Sequence, residues 1–333
     1  MQKNFYFQYN LFIIFFAYKK EYHHYVRTSV AHRNDSSIML MKVDEFNIAY
    51  EKIGNGLDIV LFIPDALGTV QHQFQKQFDP DNDGCLDYDC FTFVWIDLPG
   101  WGKSRSDQER PYGPKILDND ADRCDKLMNV CIYLCIQCVV IDFFFLFQNL
   151  GYKEYSIYGF GIGGQIAIIM AKKFGQRIKS MILHATTTYS DEKLLQNYKQ
   201  LRDPDCWNDL LMVNQYKRIY NDDLDLIVYL WNRYIDLAVN RFGDYYPDGL
   251  LMTNENNVNH QQIQCPSLIL YGDQDKFVDI EQINYLSNNL PNNRLIIFKK
   301  CGHHLQDEEP IKFKQIVEKF LLENFWSDKN CLY

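Results

Sequence analysis

From residue 38 to about residue 97 the chain alternates short apolar runs with polar turns: IMLMKV, FNIAYEKIG, the turn GNG, DIVLFIP and CFTFVWID. Four more runs follow, YSIYG (155–159), SMILHA (180–185), SLILYG (267–272) and RLIIFK (294–299). Several are apolar at nearly every position, as strands buried on both faces are. Stretches of helical spacing stand between them, QIAIIMAKKFG, DIEQINYLSNNL and PIKFKQIVEKFLLENF. Strands alternating with helices predict an α/β fold built on a mostly parallel eight-stranded sheet, with helices on both faces. No internal repeat interrupts the pattern.

Two segments break the alternation. Between SMILHA and SLILYG, residues 187–262 hold helical patterns such as DEKLLQNYKQL and LDLIVYLWNRYIDLAVNRF, rich in Tyr and Trp and without a buried strand. This predicts a helical cap over the carboxyl ends of the strands, where open α/β sheets bind ligands. Residues 130–145, VCIYLCIQCVVIDFFF, form an apolar run inside the helix expected before YSIYG. Without them, Phe147 falls three positions after Met128 and one amphipathic stripe is restored; with them the helix is apolar all round. The expectation is an insertion foreign to the fold, of the kind a retained intron produces. Gln137 and Asp142 interrupt the run, so it predicts no membrane-spanning helix.

Composition narrows the function. Lys and Arg number 34 against 43 Asp and Glu, a net charge of −9, which argues against a general nucleic-acid or anionic-membrane binder. Small molecules and protein partners remain. The 10 Cys are scattered through strands, helices and loops, without the density of a disulfide scaffold, which points to reduced thiols in an intracellular protein, cytoplasmic or mitochondrial. Residues 1–37 read as an extension. Their apolar stretch from Leu11 to Tyr18 is too short to span a bilayer. The excess of Lys and Arg after it suits a transit peptide as well as a disordered extension. The folded domain is then expected over 38–325, with 326–333 as a tail.

The chemistry centres on YGFGIGG (158–164), which joins an apolar run to a helical stretch. In a large class of hydrolases this strand–turn–helix context is written GxSxG, with a serine nucleophile on a strained turn. Here Gly159 and Gly163 hold the outer positions and Gly161 stands where the serine is expected. An acid and a His should follow in that order, each after a later strand. Asp275 follows SLILYG, and His303 follows RLIIFKK in CGHH, with His304 as the weaker alternative. PDALGT (64–69) occupies the loop that lends one backbone N–H to an oxyanion hole, from Ala66 or Leu67. The second donor would be the N–H of Ile162. DLPGWGKS (97–104) reads as a structural turn beneath the pocket.

Taken together, PDALGT, DLPGWGKS, GFGIGG, CPSLILYGDQD, CGHH and the cap resemble the α/β-hydrolases of the valacyclovir hydrolase, or biphenyl hydrolase-like, type. The resemblance covers about residues 39–325. It implies an α/β-hydrolase fold and a cofactor-free serine hydrolase of small esters or amides, with Asp275 as acid and His303 as base. Two departures stand out: Gly161 replaces the nucleophile, and Ile162 stands where that type carries an acidic residue for a substrate amino group. Loss of a catalytic serine costs about 10⁶ in turnover, so the chain as written is expected to be nearly inert by that route. The alternative is a catalytically inactive protein binding a small apolar ligand or a partner. Serine restored at position 161 is expected to meet His303. In the cap, Trp231 and Tyr234 share a helix face and are candidate pocket residues, with packing as the plainer role.

Two further patterns carry less. DPDNDGCLDYDC (79–90) has calcium-loop spacing, but Cys90 stands where a bidentate Glu closes the sphere, so it reads as an acidic surface loop. Cys131, Cys135 and Cys138 have iron–sulfur spacing inside an apolar helix, which is the wrong setting. No metal site is expected.

Overall fold

The computed structural model describes residues 38–105, 115–137, 154–189, 192–204, 207, 210–244 and 263–327. Met1–Met39 and Leu40–Tyr333 separate as two units; the first is almost wholly outside the described residues, and the second carries the site.

Each predicted run forms a strand. They are β1 (Met39–Val43), β2 (Phe46–Ile53), β3 (Asp58–Ile63), β4 (Phe91–Ile96), β5 (Tyr155–Phe160), β6 (Ile178–His184), β7 (Ser267–Gly272) and β8 (Asn293–Phe298). They form one sheet in the order β1-β2-β4-β3-β5-β6-β7-β8. Pairing is parallel from β4 through β8 and antiparallel between β2 and β4. Strands β3, β4, β5 and β7 are buried at every position, which is why they read as unbroken apolar runs. RLIIFK departs from that expectation. As the edge strand β8 it is half-buried over most of its length, because one flank has no neighbour.

The helices follow the strands: α1 (Val70–Gln73), α2 (Ile116–Gln137), α3 (Ile162–Lys173), α4 (Glu192–Gln200), α5 (Leu210–Ile219), α6 (Leu224–Asp244), α7 (Ile280–Asn289), α8 (Leu305–Glu308) and α9 (Pro310–Ser327). Between β6 and β7 the described residues form α4, α5 and α6 and no strand. Helix α2 bears on the segment expected to be foreign. It runs unbroken to Gln137, and Leu117, Ala121, Cys124, Met128 and Cys131 make one buried stripe at helical spacing, with Ile132 buried beside it. The beginning of that segment continues the helix, with Val130 exposed and Cys131 and Ile132 buried. Residues 138–145, Cys138 among them, lie outside the described residues.

Beneath the site the core is aromatic. The ring of Phe62 stacks on Tyr158 at 4.6 Å and meets Phe74, Phe78 and Phe93 edge-on at 5.3–5.6 Å. All five are buried. Phe62→Ala is expected to cost about 3–5 kcal/mol, read from the denaturant midpoint. A cost below about 1 kcal/mol would mean that the neighbouring rings close the cavity.

Candidate active site

Strand β5 delivers the chain to Gly161 at its carboxyl end, and α3 starts at the next residue. Gly161 has φ +52° and ψ −113°, a conformation that costs an L-residue strain energy and matches a nucleophile turn. Its N–H donates to the His184 carbonyl at 2.9 Å, and Gly164 N–H donates to its carbonyl at 3.1 Å. The flanks are small because the turn is tight. A Cβ on Gly159 would lie 2.4 Å from the Gly163 carbonyl oxygen, and one on Gly163 would lie 2.3 Å from that of Ile63. The backbone of a nucleophile turn is thus present without the nucleophile.

The space above Gly161 is taken by a residue that the sequence reading did not single out. Asp65, in the loop between β3 and α1, accepts the Ile162 N–H on Oδ1 at 2.9 Å. Its Oδ2 lies 3.3 Å from His303 Nε2. A Cβ built on Gly161 would sit 1.9 Å from Asp65 Oδ1. A side chain at position 161 therefore requires the Asp65 carboxylate to shift from its place. In the chain as it stands, the Asp65 carboxylate lies beside His303, where serine at 161 was expected to meet it. The only advance signal was an acidic residue in a loop assigned to an oxyanion hole, in a chain lacking its nucleophile.

The loop that holds Asp65 is braced on several sides. Asp65 N–H donates to Gln73 Oε1, and Gly68 N–H donates to the Asp65 carbonyl. From α5 and the turn after it, the Tyr216 hydroxyl donates to the Ala66 carbonyl and that of Tyr220 to the Leu67 carbonyl, both at 2.9 Å. Leu67 has φ +56°, a strained position for a branched residue that this bracing maintains. Of the three predicted oxyanion donors, the Ile162 N–H points into the centre and is engaged by Asp65. Ala66 and Leu67 enter the hydrogen-bond network through their carbonyls.

His303 lies in the loop after β8, and Asp275 in the loop after β7. His303 Nδ1 and Asp275 Oδ2 are 2.8 Å apart. The other Asp275 oxygen accepts from the N–H groups of Phe277 and Val278, which fixes the carboxylate. Burial works against the charged form of His303, but Asp275 and then Asp65 outweigh it and raise its pKa to about 10. At neutral pH it is an imidazolium donating from both ring nitrogens, and so it cannot accept a proton. Next to it, burial holds His184 neutral, with a lowered pKa. His184 Nε2–H donates to the His303 carbonyl at 3.1 Å, while Nδ1 accepts from the Tyr158 hydroxyl at 2.8 Å. This support beneath the His303 backbone also went unmarked in the sequence reading. His304, the weaker alternative, caps α8 and contacts Gln306 rather than Asp275.

The two candidate aromatics of α6 divide. Trp231 packs against Trp207, Tyr216 and Tyr234, and its indole N–H donates to the Leu201 carbonyl. It is cap packing. Tyr234 is buried, pairs with the Tyr198 hydroxyl and lies edge-on to Trp101 of the DLPGWGKS turn. Burial, Tyr198 and the Asp65 charge raise its pKa well above the ordinary tyrosine value, so it stays a neutral phenol. In the acidic loop, Asp79 and Asn82 accept hydrogen bonds from the loop's own backbone. Among the described residues, no group of three or more His, Cys, Asp or Glu is placed to hold a metal ion. A cavity of about 380 Å³ lined by His72, Lys76, Arg218 and Asp307, among others, shares no residue with the Asp65–His303–Asp275 centre.

Comparison with known proteins gives the same fold. A family model described as alpha/beta hydrolase fold matches residues 208–310. The chain is 24% identical over 281 residues to the serine hydrolase BPHL of Mus musculus, covering 84% of both chains. It is also 24% identical over 297 residues to a 2-hydroxy-6-oxononadienedioate/2-hydroxy-6-oxononatrienedioate hydrolase of Burkholderia vietnamiensis, covering 83% of this chain and 91% of that one. A solved thermophilic esterase from Thermogutta terrifontis superposes with a TM-score of 0.54 at 15% identity, covering 86% of this chain and 98% of the esterase. With its eight-stranded sheet, its glycine turn after β5 and these likenesses, the chain has the α/β-hydrolase fold.

Proposed function

We propose that this α/β-hydrolase-fold chain binds small molecules of the ester or amide class at the Asp65–His303–Asp275 centre and is silent as a serine hydrolase. One observation carries the reading: the Asp65 carboxylate fills the space above Gly161, where a serine hydroxyl would stand. Its hold on the Ile162 N–H removes a donor that acyl transfer needs, and its charge helps to keep His303 protonated. The segment at about 187–262 is its cap, a role supported by the Tyr216 and Tyr220 hydroxyls on the loop that carries Asp65.

The relatives' names favour the opposite reading, an active serine-type hydrolase, and the Asp275–His303 hydrogen bond supports them. A panel of short-chain aryl esters and their amide analogues separates the two. Thermal stabilisation by panel members without turnover is the expected result. Turnover that disappears in His303→Ala would sink the silent-site reading.

Two controls follow from the geometry. Tyr216→Phe and Tyr220→Phe each remove one hydroxyl from the 64–69 loop and are expected to destabilise by about 0.5–1.5 kcal/mol. Hydrogen exchange at Ala66 and Leu67 should quicken more than in β3. If protection is unchanged in both variants, the loop is held by other means.

A further inference from the structure

We propose that the cavity beside α5 is a second ligand site, built for a small hydroxylated oxyanion: a phosphate ester or carboxylic acid that also carries hydroxyl groups. It shares no residue with the Asp65–His303–Asp275 centre and stands independently of what that centre does.

At about 380 Å³ the cavity falls within the range of small-molecule sites, about 300–1,000 Å³. Its walls come from α1 and residues 75–77 after it, from α8, and from one face of α5. On α5 the lining residues Leu211, Gln215 and Arg218 follow helical spacing, while Met212 and Tyr216 are buried. Leu211 is the one apolar side chain among the described residues that line the cavity, which disfavours an apolar ligand. The walls are tied together before any ligand arrives. Lys76 Nζ donates to the Asp307 carbonyl at 2.6 Å, Gln77 Nε2 to that of Gln306 at 2.8 Å, and Gln306 Nε2 to that of Gln73 at 2.9 Å. A ligand therefore meets a pre-organised surface.

That surface lacks partners of both kinds. Gln215 is only 4% exposed, and its Oε1 has no hydrogen-bond partner, an unfavourable state for a buried acceptor. Asp307 Oδ2 lies 3.5 Å from Gln215 Nε2, longer than an ordinary hydrogen bond. Burial raises the Asp307 pKa to about 6, so at neutral pH it is mainly a carboxylate short of donors. On the other side of the charge balance, the Arg218 guanidinium meets no carboxylate among the described residues, and Lys76 is matched to a carbonyl. Asp79 also lines the cavity, but its Oδ1 accepts from the Asp81 N–H of its own loop.

The two shortages together specify the ligand. A guanidinium and an ammonium call for an oxyanion, phosphate or carboxylate. Gln215 Oε1 and the Asp307 carboxylate call for donors on the same molecule. Hydroxyls suit them better than an ammonium, which would shed its water beside a neutral amide. A bare anion leaves these acceptors unmet, and an uncharged sugar leaves Arg218 and Lys76 without an anion.

Calorimetric titration of the full-length protein tests the site. D-glucose 6-phosphate and D-gluconate present the two kinds of anion with hydroxyls, while inorganic phosphate and D-glucose each carry half of the chemistry. Saturable binding of at least one of the first pair is expected, about tenfold or more tighter than either of the second. Arg218→Gln should weaken it by about 10- to 100-fold. Gln215→Leu should also weaken it, yet leave the thermal midpoint of the free protein unchanged or higher, because an unpaired buried acceptor is gone. Asp65→Asn, in the other centre, should bind as the unaltered protein does. No saturable binding of either hydroxylated anion overturns the proposal. So does inorganic phosphate binding as tightly as D-glucose 6-phosphate, which would mark an unselective cationic patch. Binding that survives Arg218→Gln and is lost in Asp65→Asn would place the ligand at the other centre and overturn it as well.

Discussion

Combining Gly161→Ser with Asp65→Gly should raise aryl-ester hydrolysis by about 10³-fold or more over the parent, whereas Gly161→Ser alone should raise it little or not at all. In the single variant the new Cβ meets Asp65 Oδ1 at 1.9 Å, so either the carboxylate is expelled or the turn distorts. Removing Asp65 at the same time clears the space, frees the Ile162 N–H for a developing oxyanion, and leaves Asp275 as the one carboxylate on His303. His303 then moves toward the range in which it accepts a proton. The backbone is already in place, since Gly161 has the positive φ that a nucleophile turn imposes and its flanks are small. The readout is hydrolysis of 4-nitrophenyl acetate, and adding His303→Ala to the double variant should abolish the gain. A folded double variant no faster than the parent would show that the centre is not poised for acyl transfer.

This pair of residues also shows where sequence reasoning stops. The strands were legible because β3, β4, β5 and β7 are buried on both faces, and burial on both faces leaves a continuous apolar run. The turn at 159–163 was legible because close backbone approach admits little besides glycine. Asp275 and His303 were legible because each follows a strand in a fixed chain order. Asp65 was not. Its meaning lies in a contact across 97 positions with Ile162, and an Asp in a turn normally binds its own backbone. His184 was hidden for a related reason: it reads as one more residue of an apolar strand, while its hydrogen bond to the His303 carbonyl spans 119 positions and its bond to the Tyr158 hydroxyl needs β6 beside β5. For Trp231 the sequence left both a pocket role and packing open, because an aromatic stripe on a helix looks alike whether it faces a ligand or its neighbours.

His303 should remain charged across the neutral range and titrate at about pH 10, and Asp65→Asn should move that midpoint back toward the ordinary histidine value of 6.5. Asp65 and Asp275 both act on one ring, so the measured midpoint belongs to the coupled set. Asp65→Asn keeps a side chain of similar shape in the same space and removes the charge, which isolates electrostatics from packing. The sign for stability follows from linkage. A histidine whose folded pKa lies above its unfolded value contributes stability that is fully present below about pH 6.5 and is lost as pH rises through about 10. The unaltered protein should therefore lose stability across that window, and Asp65→Asn should lose less of it over a window that closes at lower pH. Ring ¹⁵N shifts of His303 give the midpoint, and denaturant midpoints at pH 6, 8 and 10 give the linkage. A His303 ring that is neutral at pH 8 in the unaltered protein would mean that Asp275 and Asp65 do not hold it as an imidazolium.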